Sequence, residues 1–108
     1  MTKQPRRLLI AALLLAATVG SFAQDAQRLR ARSLAATCAP CHGTDGHAVD
    51  SGAVPGLAGM PAGYLAEQMH AFKSGARSGS VMPQLAKGFS DAQIGELAAW
   101  FAQAPKAK

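Results

Sequence analysis

Apolar residues recur at helical spacing in three stretches of this chain, and no stretch alternates with the period of two that a half-buried strand would show. From Asp25 to Thr37, Leu29, Leu34, Ala35 and the adjoining Cys38 mark an apolar side, while Arg28, Arg30 and Arg32 lie towards solvent. That pattern predicts one helix ending at the cysteines, because Pro40 and Gly43 oppose its continuation. A second helix is predicted from Pro61 to Lys73, with Leu65, Met69 and Phe72 on one face, Pro61 in the first turn and Gly75 as the stop. The third has the clearest start: Ser90 and Gln93 form a capping box, and Phe89 with Ile94 a hydrophobic staple across it. Ile94, Leu97, Ala98 and Phe101 then form its buried stripe, and Pro105 closes it. Gly43 to Gly59, with five glycines and Pro55, reads as a loop wrapped around something, and Ser74 to Ser80 as a second loop. No internal repeat is present, and helices without strands predict an all-α domain.

The first residues follow a different rule. Lys3, Arg6 and Arg7 precede an almost wholly apolar run from Leu8 to Val19, and Ser21, Phe22 and Ala23 provide a small-x-small cleavage site. The run is shorter than the roughly 20 residues a spanning helix needs. Residues 1–23 are therefore expected to be a cleaved signal peptide, leaving residues 24–108 as one domain outside the cytoplasm with no membrane span.

Removing that segment changes the charge. The full chain carries eleven basic and six acidic side chains, a formal +5, but three of the basic ones lie within residues 1–23. The remaining eight against six leave +2, too weak a balance to argue for nucleic acid, and no aromatics interleave with the basic residues. A mild bias in protein docking is what such a charge supports. A domain this small, rich in Ala and Gly, has few large apolar residues for a core, and small scaffolds usually need a disulfide, metal or cofactor.

Cys38, Ala39, Pro40, Cys41 and His42 supply the candidate: CxxCH, the attachment signature of c-type haem. Two thiols separated by two residues reach both vinyl groups of one porphyrin, and the next residue lies under the iron with an imidazole nitrogen as proximal ligand. One haem c, covalently bound, is the cofactor this predicts. Rival readings remain. A zinc site needs four ligands, and beyond these three only His47 and His70 are offered, without the paired spacings of structural sites. A thioredoxin-like pair needs a βαβ context, and a plain disulfide is open to any two cysteines in an oxidising compartment.

A sixth ligand would decide what the iron does. Met82 follows the Gly- and Ser-rich loop and stands immediately before Pro83, which stiffens the chain where a sulfur must be aimed. Met69 shares a helix face with Leu65 and Phe72 and reads as core; Met60, beside Pro61, is the competitor to Met82. A His and Met pair fills the coordination sphere, and the soft thioether favours reduced iron, which raises the potential and leaves outer-sphere electron transfer. The carbonyl of Pro55 is a candidate acceptor for the other ring proton of His42, and Leu57 and Tyr64 are candidate pocket lining; all three serve equally as turn or packing residues. His47 and His70 read as surface histidines.

The segments CAPCHGTDG at 38–46, VPGLAG at 54–59, YLAEQMHAFKSGAR at 64–77 and VMPQLAKGFSDAQIGELAAWFA at 81–102 resemble the class I c-type cytochromes over essentially all of the mature sequence. The resemblance implies a fold whose crossed N- and C-terminal helices enclose one covalently bound haem, with the Leu34 region against Trp100. It also implies Met82 as axial ligand and Pro55 as the support of His42. Residues 59–91 are further similar to the cytochrome subunit of flavocytochrome c sulfide dehydrogenase and to one half of related dihaem cytochromes. This second likeness implies a periplasmic electron carrier, not itself an enzyme, that takes electrons from an FAD-containing flavoprotein oxidising sulfide. Two alternatives stand beside it: a freely diffusing shuttle between respiratory complexes, and an open-site haem sensor or peroxidase.

Overall fold

The computed structural model describes residues 4–49 and 52–106, with side-chain environments from Gly20 onward, and all regular elements among the described residues are helical. In chain order they are α1 (Gln4–Ala36), α2 (Ala39–His42), a 3-10 turn at Thr44–Gly46, α3 (Ala62–Ser74), α4 (Met82–Lys87) and α5 (Asp91–Gln103). The chain divides into two compact units, Met1–Arg30 and Ala31–Lys108.

The first helix is longer than the pattern predicts. It was expected to begin near Asp25, but it starts at Gln4, because Leu, Ala, Gln and Arg dominate this stretch and no proline interrupts it after the first turn. Leu29, expected on a buried side, is 63% exposed, and every described residue from Gly20 to Arg30 is exposed; the apolar side begins to be buried only at Leu34 and Ala35. Lys3 and the side chains of residues 4–19, which carry the signal-peptide expectation, lie outside the described residues. Among the described residues no helix is long and apolar enough to cross a membrane.

The second unit is built on a small core. Ala35 at the end of α1, Leu65 on α3 and Leu97, Ala98 and Phe101 on α5 form one buried cluster, against which Leu34 and Trp100 both pack. The end of the first helix and the last helix thus share one apolar centre, as the resemblance implies. The third helix touches both α4 and α5. Its start and stop match the sequence closely: Pro61 stands one residue before the first helical position, where its missing N–H leaves no bond unmade, and Gly75 takes the left-handed conformation that ends it (φ 83°).

At the start of α5 both halves of the capping box form. The backbone N–H of Gln93 donates to Ser90 Oγ at 3.2 Å, and the Ser90 N–H donates to Gln93 Oε1 at 2.8 Å. Lys73 on α3 adds a link by donating to Phe89 O and Asp91 Oδ1, both at 2.8 Å, and this bond, followed by the charge of Lys73, holds the Asp91 carboxyl below its usual range. Ser90→Ala removes one side of the box and should cost about 1 kcal/mol, or roughly 5 °C in a thermal melt of a domain this size. An unchanged melting temperature would show that the cap contributes nothing.

One element escaped the sequence reading. No helix was expected between the loop ending at Ser80 and the cap at Ser90, yet Met82 and Pro83 begin the six-residue helix α4. The reason is local: the φ of proline suits a first helical turn, and the N–H groups of Gln84 and Leu85 close on Val81 O at 3.0 and 3.2 Å.

Candidate functional site

The five motif residues are wound into a single helical turn. Pro40 sits in its first turn, Cys41 N–H and His42 N–H donate back to Cys38 O at 3.3 and 2.9 Å, and Gly43 N–H donates to Ala39 O at 2.9 Å. Cys38 and Cys41, three apart, and His42, four from Cys38, therefore lie close on the helix surface. The two thiols are not joined; Cys38 is half-buried and Cys41 exposed, so the disulfide reading gains no support. Burial pushes the Cys38 thiol above its usual range, Thr37 opposes this through a hydrogen bond, and the neighbouring Cys41 adds to the rise. Among the described residues no three His, Cys, Asp or Glu side chains come together as a metal site.

His42 is the buried polar side chain of this region, at 9% exposure. Its Nδ1 donates to the carbonyl of Pro55 at 2.7 Å. A carbonyl can only accept, so the proton resides on Nδ1 and Nε2 carries the lone pair, the state of an imidazole that can ligate a metal. The donor acts across thirteen residues, and the intervening loop brings it there. Gly43 and Gly46 have positive φ (78° and 80°), and the carbonyl of Gly46 accepts from both Leu57 N–H (2.8 Å) and Ala58 N–H (3.2 Å). A Cβ on Gly46 would come within 2.8 Å of Ala58 N and 3.0 Å of Phe101 Cδ1, so only glycine fits this close approach. Gly59 N–H then donates to Phe101 O at 2.8 Å, which pins the loop to α5.

The other candidates separate into two groups. Leu57 and Met60 both pack on the buried cluster of the core. Met82 is half-buried at the first position of α4 and is not among the residues packed on that cluster. Tyr64, Val81 and Leu85 keep 49%, 54% and 49% of their surface exposed, a large apolar exposure for so small a domain. Two thiols three residues apart and a buried histidine next to the second, its Nδ1 bonded to a carbonyl, make a donor set that fits a covalently attached haem. His47 lies between the carbonyls of Thr44 (3.1 Å from Nδ1) and Pro105 (2.7 Å from Nε2) and so ties the chain's end to the loop. His70 is on the surface, with Nδ1 3.8 Å from Asp91 Oδ1.

Sequence reasoning missed Thr37 and Gly46. Thr37 Oγ1 donates to Leu34 O at 2.7 Å and stands 4.0 Å from Cys38 Sγ, so it both closes α1 and touches a motif thiol. A threonine immediately before the motif was the available signal, and for Gly46 it was the second glycine after it.

Comparison with known proteins adds an independent line. Residues 25–101 match the family described as cytochrome c oxidase, cbb3-type, subunit III. The chain is 39% identical over 93 residues to the thiosulfate dehydrogenase electron acceptor of Thiomonas intermedia, covering 84% of this chain and 43% of that protein. It is 35% identical over 94 residues to the cytochrome subunit of sulfide dehydrogenase of Chlorobaculum tepidum, covering 83% of this chain and 84% of that one. The cytochrome c4 structure of Acidithiobacillus ferrooxidans superposes with a TM-score of 0.58 at 38% identity, over 61% of this chain and 37% of that one. The chain thus spans less than half the length of the thiosulfate dehydrogenase acceptor and of the cytochrome c4 chain.

Proposed function

This chain belongs to the cytochrome c family, has the class I fold and carries haem c, and from that premise we propose that it is a periplasmic monohaem carrier of single electrons serving a sulfur-oxidising dehydrogenase. The observation that carries the reading is the buried His42, whose Nδ1 is bonded to the Pro55 carbonyl, one turn after Cys38 and next to Cys41. Cys38 and Cys41 would hold the haem through thioether bonds, and His42 would offer its Nε2 to the iron. The hydrogen bond from Nδ1 holds the imidazole in one orientation and raises its basicity. Met82 supplies the distal sulfur, while Met60 is engaged in the core. Leu57 and Tyr64 line the pocket and exclude water from it. When bound, the haem supplies a reversible one-electron couple. With His42 and Met82 both offered to the iron, the bound haem would have no open position for substrate, which supports the reading of an electron carrier.

Residues 1–23 act as the export leader and residues 24–108 form the cytochrome domain; the family match beginning at residue 25 supports this division. As for the donor, the match to the sulfide dehydrogenase cytochrome subunit extends over 84% of that subunit, which favours a flavoprotein that oxidises sulfide. A second reading, acceptance of electrons from a thiosulfate dehydrogenase as a separate carrier, is favoured by the 39% identity to such an acceptor. Purified oxidised protein, mixed anaerobically with a sulfide dehydrogenase flavoprotein and sulfide, should be reduced within seconds and co-elute with the flavoprotein in gel filtration. Reduction by thiosulfate dehydrogenase with thiosulfate, and none by the flavoprotein, would favour the second reading. The same preparation checks the leader, because its mass should correspond to residues 24–108 plus one haem.

A further inference from the structure

The loop between α3 and α4 must deliver Met82, and its residues from Ser74 to Val81 are exposed. Arg77 ties it down. The Arg77 guanidinium lies 4.5 Å from the centroid of the Phe72 ring, Nη1 donates to Gln68 Oε1, and the backbone N–H donates to Ala71 O at 3.0 Å. All three partners are on α3, so the side chain folds the loop back over the helix that precedes it.

The same aromatic ring touches the other end of the loop. A Cβ built on Gly79 would lie 3.4 Å from Phe72 Cε1 and 3.3 Å from Pro83 Cδ, so Gly79 is seated between the Phe72 ring and the proline that follows Met82. Arg77, Phe72, Gly79 and Pro83 therefore form one continuous layer, and Met82 starts α4 beside it. Cation–π contact and a charged hydrogen bond are both short-ranged and directional, so their loss frees the loop more than it weakens the buried core, where Arg77 takes no part.

We propose that Arg77 is the positioning residue of the methionine loop: by clamping Phe72 it holds the Gly79–Pro83 segment and so keeps the Met82 sulfur on the iron. The inference rests on Met82 being the axial ligand. Arg77 touches neither haem nor iron in this account; it sets how often the loop opens.

Exogenous imidazole, which captures ferric iron only when the methionine leaves, reads this opening. In full-length oxidised holoprotein, binding is followed by loss of the red absorbance band of methionine-ligated ferric haem. Arg77→Ala should bind imidazole about tenfold more tightly than the parent, equivalent to ~1.4 kcal/mol in favour of the open loop. Arg77→Lys keeps a cation but not the fork that stacks and donates together, and should fall between the two. Ser90→Ala, which weakens the fold by removing a cap bonded to Gln93 and not to Arg77, Phe72 or Gly79, should bind imidazole as the parent does. Parent-like affinity in both Arg77 variants, or an equal gain in Ser90→Ala, overturns the proposal, the latter by showing that general destabilisation is enough. If Arg77→Ala does not fold, the lysine variant decides alone. A parent protein without the methionine band would instead overturn the ligand assignment of Met82, and this proposal with it.

Discussion

Cys38→Ala combined with Cys41→Ala leaves the exported chain without covalent haem and largely unfolded. The buried apolar side chains of the core are Ala35, Leu65, Ala86, Ile94, Leu97, Ala98 and Phe101, and three of the seven are alanines. A side-chain core in a domain this small supplies no more than about 3–5 kcal/mol, and ordering the long loop from Gly43 to Met60 opposes even that. Tyr64, Val81 and Leu85 stay half-exposed in the polypeptide and add little to that core. Circular dichroism of the double variant should show most of the helical signal lost and no cooperative melt, and mass spectrometry should show no added haem. A helical spectrum like the parent's, with a sharp thermal transition, would mean that the chain folds on its own core and that the haem is a passenger.

Met82→Ala should change the chemistry more than the stability. Without the thioether the iron gains an open position, so the reduced variant should bind carbon monoxide while the parent stays closed. The midpoint potential should fall by an amount on the order of 0.1–0.3 V, a fraction of the ~0.8 V range that axial ligands set. The direction follows from softness: sulfur favours the ferrous ion, and losing it favours the ferric one. Met60→Ala is the matched comparison. Because Met60 packs on the core cluster, its truncation should cost ~2–4 kcal/mol of stability and leave the spectrum and potential unchanged. Parent-like closure in Met82→Ala, with an open iron in Met60→Ala, would transfer the ligand role to Met60.

The two methionines illustrate how far the sequence could be read. Placement beside Pro83, after a flexible loop, singled out Met82 by chain stiffness alone, but nothing local separated Met60 from a ligand role. The structure adds that Met60 packs on the core cluster assembled from α1, α3 and α5, as Cys38 of the motif also does. The helix ends were legible wherever the signal was local. Ser90 and Gln93 bond within one turn, and Gly75 terminates its helix by its own backbone conformation. The start of α1 was not legible, because Gly20 alone lies between the apolar run and Asp25 as a breaker, and a single glycine does not end a helix. Leu29 was misplaced for a related reason: helical spacing shows which residues share a face but not whether anything covers that face.

By itself the sequence determined the attachment chemistry, the all-helical class and the terminal caps, since each depends on residues within one or two turns of each other. Tertiary structure alone decided other contacts made by groups far apart in the chain: Gly59 on Phe101 and Pro105 on His47. Both use backbone carbonyls or N–H groups, which almost every residue type offers alike. No residue code marks which one will be chosen, and the choice is made only when the loop closes over the core.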